Sequence, residues 1–173
     1  MIRFNKASIL GLSMIALVGC TKSEAPASDT TATAAAATTP DAAADEQAIR
    51  AINPAWFKAW NARDVDGVVA LYADDAVVSA PGMPPARGTA AIRELFTKDV
   101  AGAAQAGVTQ VSGTGDFVVS GDLGSEWNTF TVSDKSGAKV DTGKYVTVYA
   151  RRNGKWVIVR DIWNSDTPPA PTK

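Results

Sequence analysis

The sequence predicts an α+β domain in which helices come first and an antiparallel sheet follows. Apolar residues between positions 45 and 60 recur every three or four residues, as they do along one face of a helix. After residue 107 the pattern changes to short strands separated by turn residues, and Asn153-Gly154 is a strong hairpin signal. Helices and strands that are segregated along the chain in this way favour an α+β architecture.

Three helices are predicted before residue 107. The first begins at Asp45, and Pro54 either kinks it or begins a fresh helix that is capped by Asn53. We expect Asp64 to cap a short second helix and Thr89 to cap a third, because both side chains accept hydrogen bonds from first-turn amides. The predicted strands are 76–80, 108–111, 116–120, 125–132, 139–151 and 155–164.

The Asn153-Gly154 turn sets a register for the last two strands. A two-residue loop pairs Val148 with Val159 and Val146 with Asp161. Strict alternation then places the valines, with Asp161, on an apolar face that packs against the helices. The opposite face is rich in aromatic residues, so it either forms a homodimer interface or is covered by loops and tails. The residues expected on that second face include Tyr145, Tyr149, Trp156 and Ile158.

Asp161 is the main candidate for chemistry. The chain has no histidine and one cysteine, which excludes His-dependent nucleophiles, His-ligated or four-cysteine metal sites and an internal disulfide. We therefore expect no metal and no cofactor. A carboxyl group on an apolar face has a raised pKa, which suits a general acid or base. Alternatively, Lys144 holds Asp161 ionised in a structural ion pair.

The N-terminal segment predicts that the protein is attached to a membrane. Residues 1–19 have the pattern of a signal peptide, and Leu17-Val18-Gly19-Cys20 resembles the lipobox of bacterial lipoproteins. That resemblance implies lipidation of Cys20, and Thr21 after it implies outer-membrane attachment facing the periplasm.

The charge and the domain organisation follow from the rest of the sequence. The net charge of −1 and the pI near 5.4 argue against nucleic acid as a partner. The expected parts are a signal peptide (1–19), a lipidated flexible linker (20–44), a domain (45–166) and a disordered tail (167–173).

Three segments, 60–76, 88–93 and 154–163, resemble the SnoaL-like branch of the nuclear-transport-factor-2-like superfamily. The resemblance implies three N-terminal helices packed in a curved antiparallel or mixed sheet, a cone-shaped, cystatin-like roll with an internal pocket. Members of the superfamily include steroid isomerases, polyketide cyclases, dehydratases and domains that only bind or dimerise. The resemblance therefore predicts the fold and leaves the function open.

The positions at which steroid isomerases carry their chemistry do not match here. By the resemblance, Ala80 stands where the isomerases have their general base, and Trp56 stands where they have an oxyanion-binding tyrosine. Their second oxyanion-binding acid aligns near Val146. We therefore expect binding of a small apolar ligand or a partner without catalysis, with an acid–base enzyme using Asp161 as the alternative. Unless they form a solid aromatic core, the residues expected at the pocket are Trp56, Trp60, Tyr72, Phe96, Trp127, Val146, Val159, Asp161 and Trp163.

Overall fold

The computed structural model describes residues 42–168 of the chain. The predicted signal peptide, Cys20, the linker up to residue 41 and the tail from residue 169 lie outside the described residues. Among the helices of the described part, none is long and apolar enough to cross a membrane.

Within residues 42–168, three helices and seven strands form the domain, so the predicted α+β class is confirmed. The helices do not form one N-terminal block, because the first two strands lie between the second and third helices. The elements are α1 (Ala42–Asn61), α2 (Val65–Val69), β1 (Tyr72–Ser79), β2 (Ala86–Arg87), α3 (Gly88–Ala106), β3 (Thr109–Ser112), β4 (Asp116–Ser120), β5 (Leu123–Ser133), β6 (Lys139–Arg152) and β7 (Lys155–Ser165).

The sheet is mixed and has the strand order β2-β1-β7-β6-β5-β3, with β4 paired to β5 as well. Only β1 and β7 pair in parallel, and the other pairs are antiparallel. One face of the sheet, which we call the inner face, packs on α1 and α3. Ile49 of α1 and Phe96 of α3 are fully buried against Val78 of β1 and Tyr149 of β6. The hydrophobic core lies in this layer.

The helix boundaries follow the sequence signals in part. Helix α1 is continuous through Pro54, so no fresh helix begins there. Asp64 caps α2 as predicted, accepting a hydrogen bond of 2.8 Å from the amide of Gly67. The prediction for Thr89 is wrong, because α3 already begins at Gly88, and the Thr89 hydroxyl instead donates to Asp74 at 3.3 Å.

The hairpin between β6 and β7 follows the predicted register only near its turn. Asn153 and Gly154 both have positive φ angles, 51° and 78°, as a type I′ turn requires. The pairing of Tyr149 with Ile158 agrees with the two-residue loop. Beyond that pair, Val159 is an extra residue that forms a β-bulge, and Val148 pairs with Arg160 instead of Val159.

The bulge corrects the predicted faces of β6. Because the register moves by one residue, Asp161 pairs with Thr147 instead of Val146, and both side chains are buried on the inner face. Tyr145 and Tyr149 point inward with them, at 9 % and 1 % exposure, whereas Val146 is 37 % exposed. The face that carries the tyrosines was predicted to be a homodimer interface or to be covered by loops and tails. It is instead the inner face of this chain, on which the helices pack.

Candidate functional site

A cavity of about 440 Å³ lies between α1, α3 and the inner face of the sheet. This volume is within the range of roughly 300–1,000 Å³ that is typical of sites for small molecules. Aromatic side chains dominate its wall, and they come from both helical and sheet elements. The aromatic lining residues are Trp56, Phe57, Trp60, Phe130, Tyr145, Tyr149 and Trp163.

Asp161 contributes a buried carboxyl group to this cavity. The side chain is 8 % exposed and accepts hydrogen bonds from the Tyr72 hydroxyl at 2.6 Å and from the Thr147 hydroxyl at 3.4 Å. Burial raises the pKa of Asp161 to about 6, and the hydrogen bonds from Tyr72, Thr147 and the Ile162 amide oppose that rise. The carboxyl group is therefore mostly ionised at neutral pH and takes up a proton in mildly acidic solution.

The predicted ion pair between Lys144 and Asp161 does not form. The Lys144 ammonium lies 2.6 Å from the carboxylate of Asp166, close to the C-terminal end of β7. The reason is the bulge at Val159, which places Asp161 on the inner face while Lys144 stays exposed on the outer face. No salt bridge to Asp161 is found among residues 42–168.

Tyr72 connects Asp161 to helix α1. The indole N–H of Trp56 donates to the Tyr72 hydroxyl at 2.9 Å, and that hydroxyl donates onward to Asp161. Burial, together with the negative charge of Asp161, holds the pKa of Tyr72 well above its ordinary value. Tyr72 therefore stays protonated and keeps donating over the whole physiological range.

The aromatic wall is built from rings that brace one another. Trp56 stacks on Trp60 with ring centroids 6.4 Å apart, and it meets Phe96 edge-on at 5.8 Å. Trp163 of β7 stacks on Phe96 with ring centroids 6.2 Å apart. Such contacts hold the rings in defined positions, so the wall has a fixed shape.

A second buried carboxylate, Glu126, belongs to a polar network that the sequence reasoning missed. Its Oε1 accepts hydrogen bonds from Asn53 at 2.5 Å and from Asn128 at 2.9 Å, and its Oε2 accepts one from Tyr149 at 2.8 Å. The Tyr145 hydroxyl also reaches Oε1, at 3.3 Å. The signal in the sequence is the alternation of Glu126 and Asn128 with Trp127, which becomes interpretable only when the inward face of β5 is known.

The mouth of the cavity carries polar and charged residues. Asp99 of α3 accepts a hydrogen bond of 2.6 Å from the indole N–H of Trp60. Loss of hydration raises the pKa of Asp99, against the lowering effects of Trp60 and of the Arg63 charge. Lys98 also lines the mouth and pairs with Glu94 at 2.6 Å. Within residues 42–168, no cluster of three or more His, Cys, Asp or Glu side chains could hold a metal ion.

The structure brings together four of the nine expected pocket residues, namely Trp56, Trp60, Asp161 and Trp163. Three others, Tyr72, Phe96 and Val159, are buried behind the wall. The predictions for the remaining two residues are wrong, because Trp127 is 55 % exposed and Val146 is 37 % exposed on the outer face. They pair with each other across β5 and β6, so both point away from the cavity.

The residues predicted at a dimer interface lie elsewhere in the structure. Tyr145 and Tyr149 line the cavity, as does Ile158, so none of the three presents an exposed face. Trp156 lies half-buried beside the start of α1, where its indole N–H donates to Asp45 at 3.1 Å.

Comparisons with known proteins agree on the fold. An NTF2-like protein with a cystatin-like fold from Novosphingobium aromaticivorans is 20 % identical, with a TM-score of 0.64 over 70 % of this chain and 81 % of that one. An NTF2-like protein of unknown function from Pseudomonas putida is 21 % identical, with a TM-score of 0.65 over 70 % and 87 %.

A ketosteroid isomerase-like protein from Erwinia carotovora is 21 % identical, with a TM-score of 0.56 over 70 % of this chain and 96 % of that chain. At this level of identity the likeness concerns the fold alone. The model of the SnoaL-like domain family matches residues 54–159, which is more than half of the sequence. The chain therefore belongs to the family of SnoaL-like domains.

Proposed function

We propose that this domain binds a small, mainly apolar molecule in the cavity and that Asp161 is the anchor for a polar group of that molecule. The observation that carries the proposal is an open space of about 440 Å³ that is walled by aromatic rings and reached by the buried carboxyl group of Asp161. Within the described part of the chain this carboxyl group has no cationic partner. A solid aromatic core would leave no such space. A few placed polar groups in an apolar cavity are the usual design of a ligand site.

The apolar wall supplies the larger part of the expected binding energy. A bicyclic ligand that buries roughly 200 Å² of apolar surface gains about 5 kcal/mol at 25 cal/mol per Å², before the loss of its translational and rotational freedom is subtracted. The fixed positions of Trp56, Trp60 and Trp163 limit the ordering cost, because the rings already brace one another or Phe96.

Gly102 offers a direct test of cavity binding. It lines the cavity on α3, and a Cβ atom added there would have no neighbour within 4 Å. We expect Gly102→Phe to fill the space and abolish calorimetric binding of naphthylmethanol, a neutral probe, whereas Gly102→Ala retains it. Equal binding by wild type and Gly102→Phe would reject the cavity as the site.

A second candidate function is acid–base catalysis by Asp161, as in an isomerase, cyclase or dehydratase. It is supported by the pKa of about 6, which lets the carboxylate accept a proton at neutral pH and return it. Asp161→Asn then removes turnover and leaves the fold intact, whereas Asp116→Asn, at an exposed position on β4, changes neither. Turnover that survives in Asp161→Asn would exclude this role.

We also propose that Cys20 is lipidated and tethers the domain to the periplasmic side of the outer membrane. The support is the lipobox-like Leu17-Val18-Gly19-Cys20 and the polar linker that follows it. In a bacterial host, wild type is expected in the membrane fraction and Cys20→Ser in the soluble fraction. Wild-type protein that is fully soluble without detergent would contradict the anchor.

For the homodimer, we propose an interface on the outer face of the sheet instead of the tyrosine face. Trp127, Val146 and Ile162 pair directly across three adjacent strands, so they make one apolar row on that face. Their exposures are 55 %, 37 % and 54 %. A second copy related by a two-fold axis can lay the same row against this one, so that the apolar side chains of both copies are buried.

Light scattering tests the dimer. We expect wild type to have twice the monomer mass and Ile162→Asp to be monomeric, because a charge would be buried within the contact. Met83→Asp is the matched control, since Met83 is 51 % exposed in the loop after β1 and away from the row. A wild-type protein that stays monomeric at high concentration would rule the interface out.

A further inference from the structure

The charges that line the cavity are mainly negative. Asp99, Asp141 and Asp161 all reach it, and among residues 42–168 Lys98 is the one basic side chain in the lining. The Lys98 side chain is 74 % exposed and is held by Glu94, so its charge is directed to solvent and neutralised there. The cavity therefore has an uncompensated negative potential in an environment that excludes much of the screening water.

The charge of Asp161, at the deep end of the cavity, is not neutralised by its hydrogen-bond donors. The three donors that reach Asp161 are neutral, namely the Tyr72 and Thr147 hydroxyls and the Ile162 amide. An ionised carboxylate has about four acceptor sites, so one site and the full charge remain available. Glu126 adds a second negative charge nearby, and its repulsion contributes to the raised pKa of Asp161.

Arg63, a half-buried basic residue, does not compensate this charge. The Arg63 guanidinium lies 5.0 Å from the Trp60 ring and donates to backbone carbonyl oxygens of Ala103 and Val108. Arg63 is not part of the cavity lining, and Asp99 is the acidic group whose pKa it lowers. Its charge therefore acts at the mouth and leaves the deep end unchanged.

Aromatic rings surround the same space. Trp56, Trp60 and Trp163 line it together with Phe57 and two tyrosines, and aromatic faces attract cations. The attraction is worth about 0.5–1 kcal/mol at exposed sites and about 2 kcal/mol when the cation is desolvated. A carboxylate and several ring faces around one cavity favour a positively charged ligand over a neutral or a negative one of the same shape.

We propose that the ligand of this cavity is an organic cation, an amine carried on an apolar body of about two fused rings, whose ammonium group donates a hydrogen bond to Asp161. This inference rests on the proposed ligand-binding function and names its chemical class. The ammonium group meets a charge-assisted acceptor at the deep end, and the apolar body fills the space between the tryptophans. A carboxylate ligand of equal size meets like charge and is disfavoured.

Three probes with a shared naphthalene body test the inference by calorimetry at about pH 7.5, where naphthylmethylamine is cationic, naphthylmethanol neutral and naphthoate anionic. We expect the amine to bind at least about tenfold tighter than the alcohol, and the naphthoate to bind weakest. Asp161→Asn is expected to remove most of the amine's advantage and to leave alcohol binding nearly unchanged. Asp116→Asn, outside the cavity, retains the wild-type order.

The outcomes distinguish the inference of a cationic ligand from the proposed binding function of the cavity. Alcohol binding that equals or exceeds amine binding in wild type would overturn the cationic ligand and leave the cavity's binding function standing. An amine preference that persists in Asp161→Asn would also overturn it. If none of the probes binds, or if Gly102→Phe binds all of them as wild type does, the proposed function fails and the inference fails with it.

Discussion

The hydroxyl of Tyr72 lies 2.6 Å from Oδ2 of Asp161 and donates to it, while the indole of Trp56 donates to the same hydroxyl at 2.9 Å. This relay joins α1, β1 and β7 at the deep end of the cavity. It holds the Asp161 carboxylate in one orientation without neutralising it, because both donors are uncharged. Tyr72 is therefore a positioning residue, and Asp161 is the group that is left to meet a ligand.

Tyr72→Phe tests this relay. The ring and its packing on Phe96 remain, but Asp161 loses its shortest hydrogen bond, so the pKa of Asp161 is expected to rise further above about 6. The Trp56 N–H loses its acceptor, and we expect a loss of about 1–3 kcal/mol in the free energy of unfolding. Carboxyl-carbon NMR titration and urea unfolding measure the two effects. Tyr145→Phe is the control for the pKa alone, because its hydroxyl contacts Glu126 and not Asp161. An unchanged Asp161 pKa in Tyr72→Phe would contradict the account.

The raised pKa of Asp161 predicts a specific dependence of stability on pH. The folded state, with a pKa of about 6, binds this proton more tightly than the unfolded state, with a pKa near 3.8, so stability from this group falls as pH rises from about 4 to 6. This difference of about 2 between the pKa values of the folded and unfolded states corresponds to about 3 kcal/mol in the free energy of unfolding. Asp141 and Asp166 have lowered pKa values and act in the opposite direction, so the comparison must be with Asp161→Asn.

Unfolding free energies of wild type and Asp161→Asn across pH 4 to 7 check this prediction. The stability of wild type relative to the variant should decrease over the interval from about 4 to 6 and then level off. A difference that is flat, or that increases with pH, would mean that the pKa of Asp161 is not raised in the folded protein. Asp116→Asn should follow wild type throughout.

Glu126→Gln tests the second buried network. Both oxygens of Glu126 accept hydrogen bonds, so an amide nitrogen at either position faces a donor from Asn53, Asn128 or Tyr149. We expect a loss of about 1–3 kcal/mol in the free energy of unfolding by urea denaturation. Glu94→Gln, which breaks an exposed pair with Lys98, should leave stability nearly unchanged. Equal effects of the two changes would reject the network as a source of stability.

Gly102→Ala is expected to stabilise the domain. Gly102 lies inside α3, and no atom stands within 4 Å of an added Cβ, so alanine gains about 0.5–1 kcal/mol by restricting the unfolded chain and adds no clash. Thermal unfolding measures the gain. Gly107→Ala is the contrasting variant and should destabilise, since Gly107 ends α3 with a φ of 67°. Destabilisation by Gly102→Ala would show that the position needs a glycine.

The sequence predicted those parts of the fold that local chemistry determines. Asn153-Gly154 specifies a type I′ turn, and Asp64 caps α2, because each depends on a few neighbouring residues. The bulge at Val159 has no such local signature. It satisfies pairing with β6 on one side and with β1 on the other, and β1 is about eighty residues away in sequence.

Because the bulge depends on strands that are distant in sequence, the residues whose positions depend on it were predicted wrongly at the site. Asp161 and Trp163 were placed inward correctly by alternation along β7, but Val146 was placed inward by carrying a regular register across the bulge. Trp127 was predicted in the pocket together with the other aromatic residues, but it lies on the outer face. Glu126 was not predicted at the site, and ionised residues are rarely buried. The hydrogen bonds from Asn53 and Tyr149 remove the penalty for burying Glu126, and they become visible only in three dimensions.

The most direct test of the central claim is a crystal structure of the domain soaked with naphthylmethylamine and, separately, with naphthylmethanol. The account predicts electron density for the naphthalene body between Trp56, Trp60 and Trp163, with the polar group of the probe within hydrogen-bonding distance of the Asp161 carboxylate. Density for neither probe in the cavity at saturating concentration, or probe bound only outside it, would contradict the account.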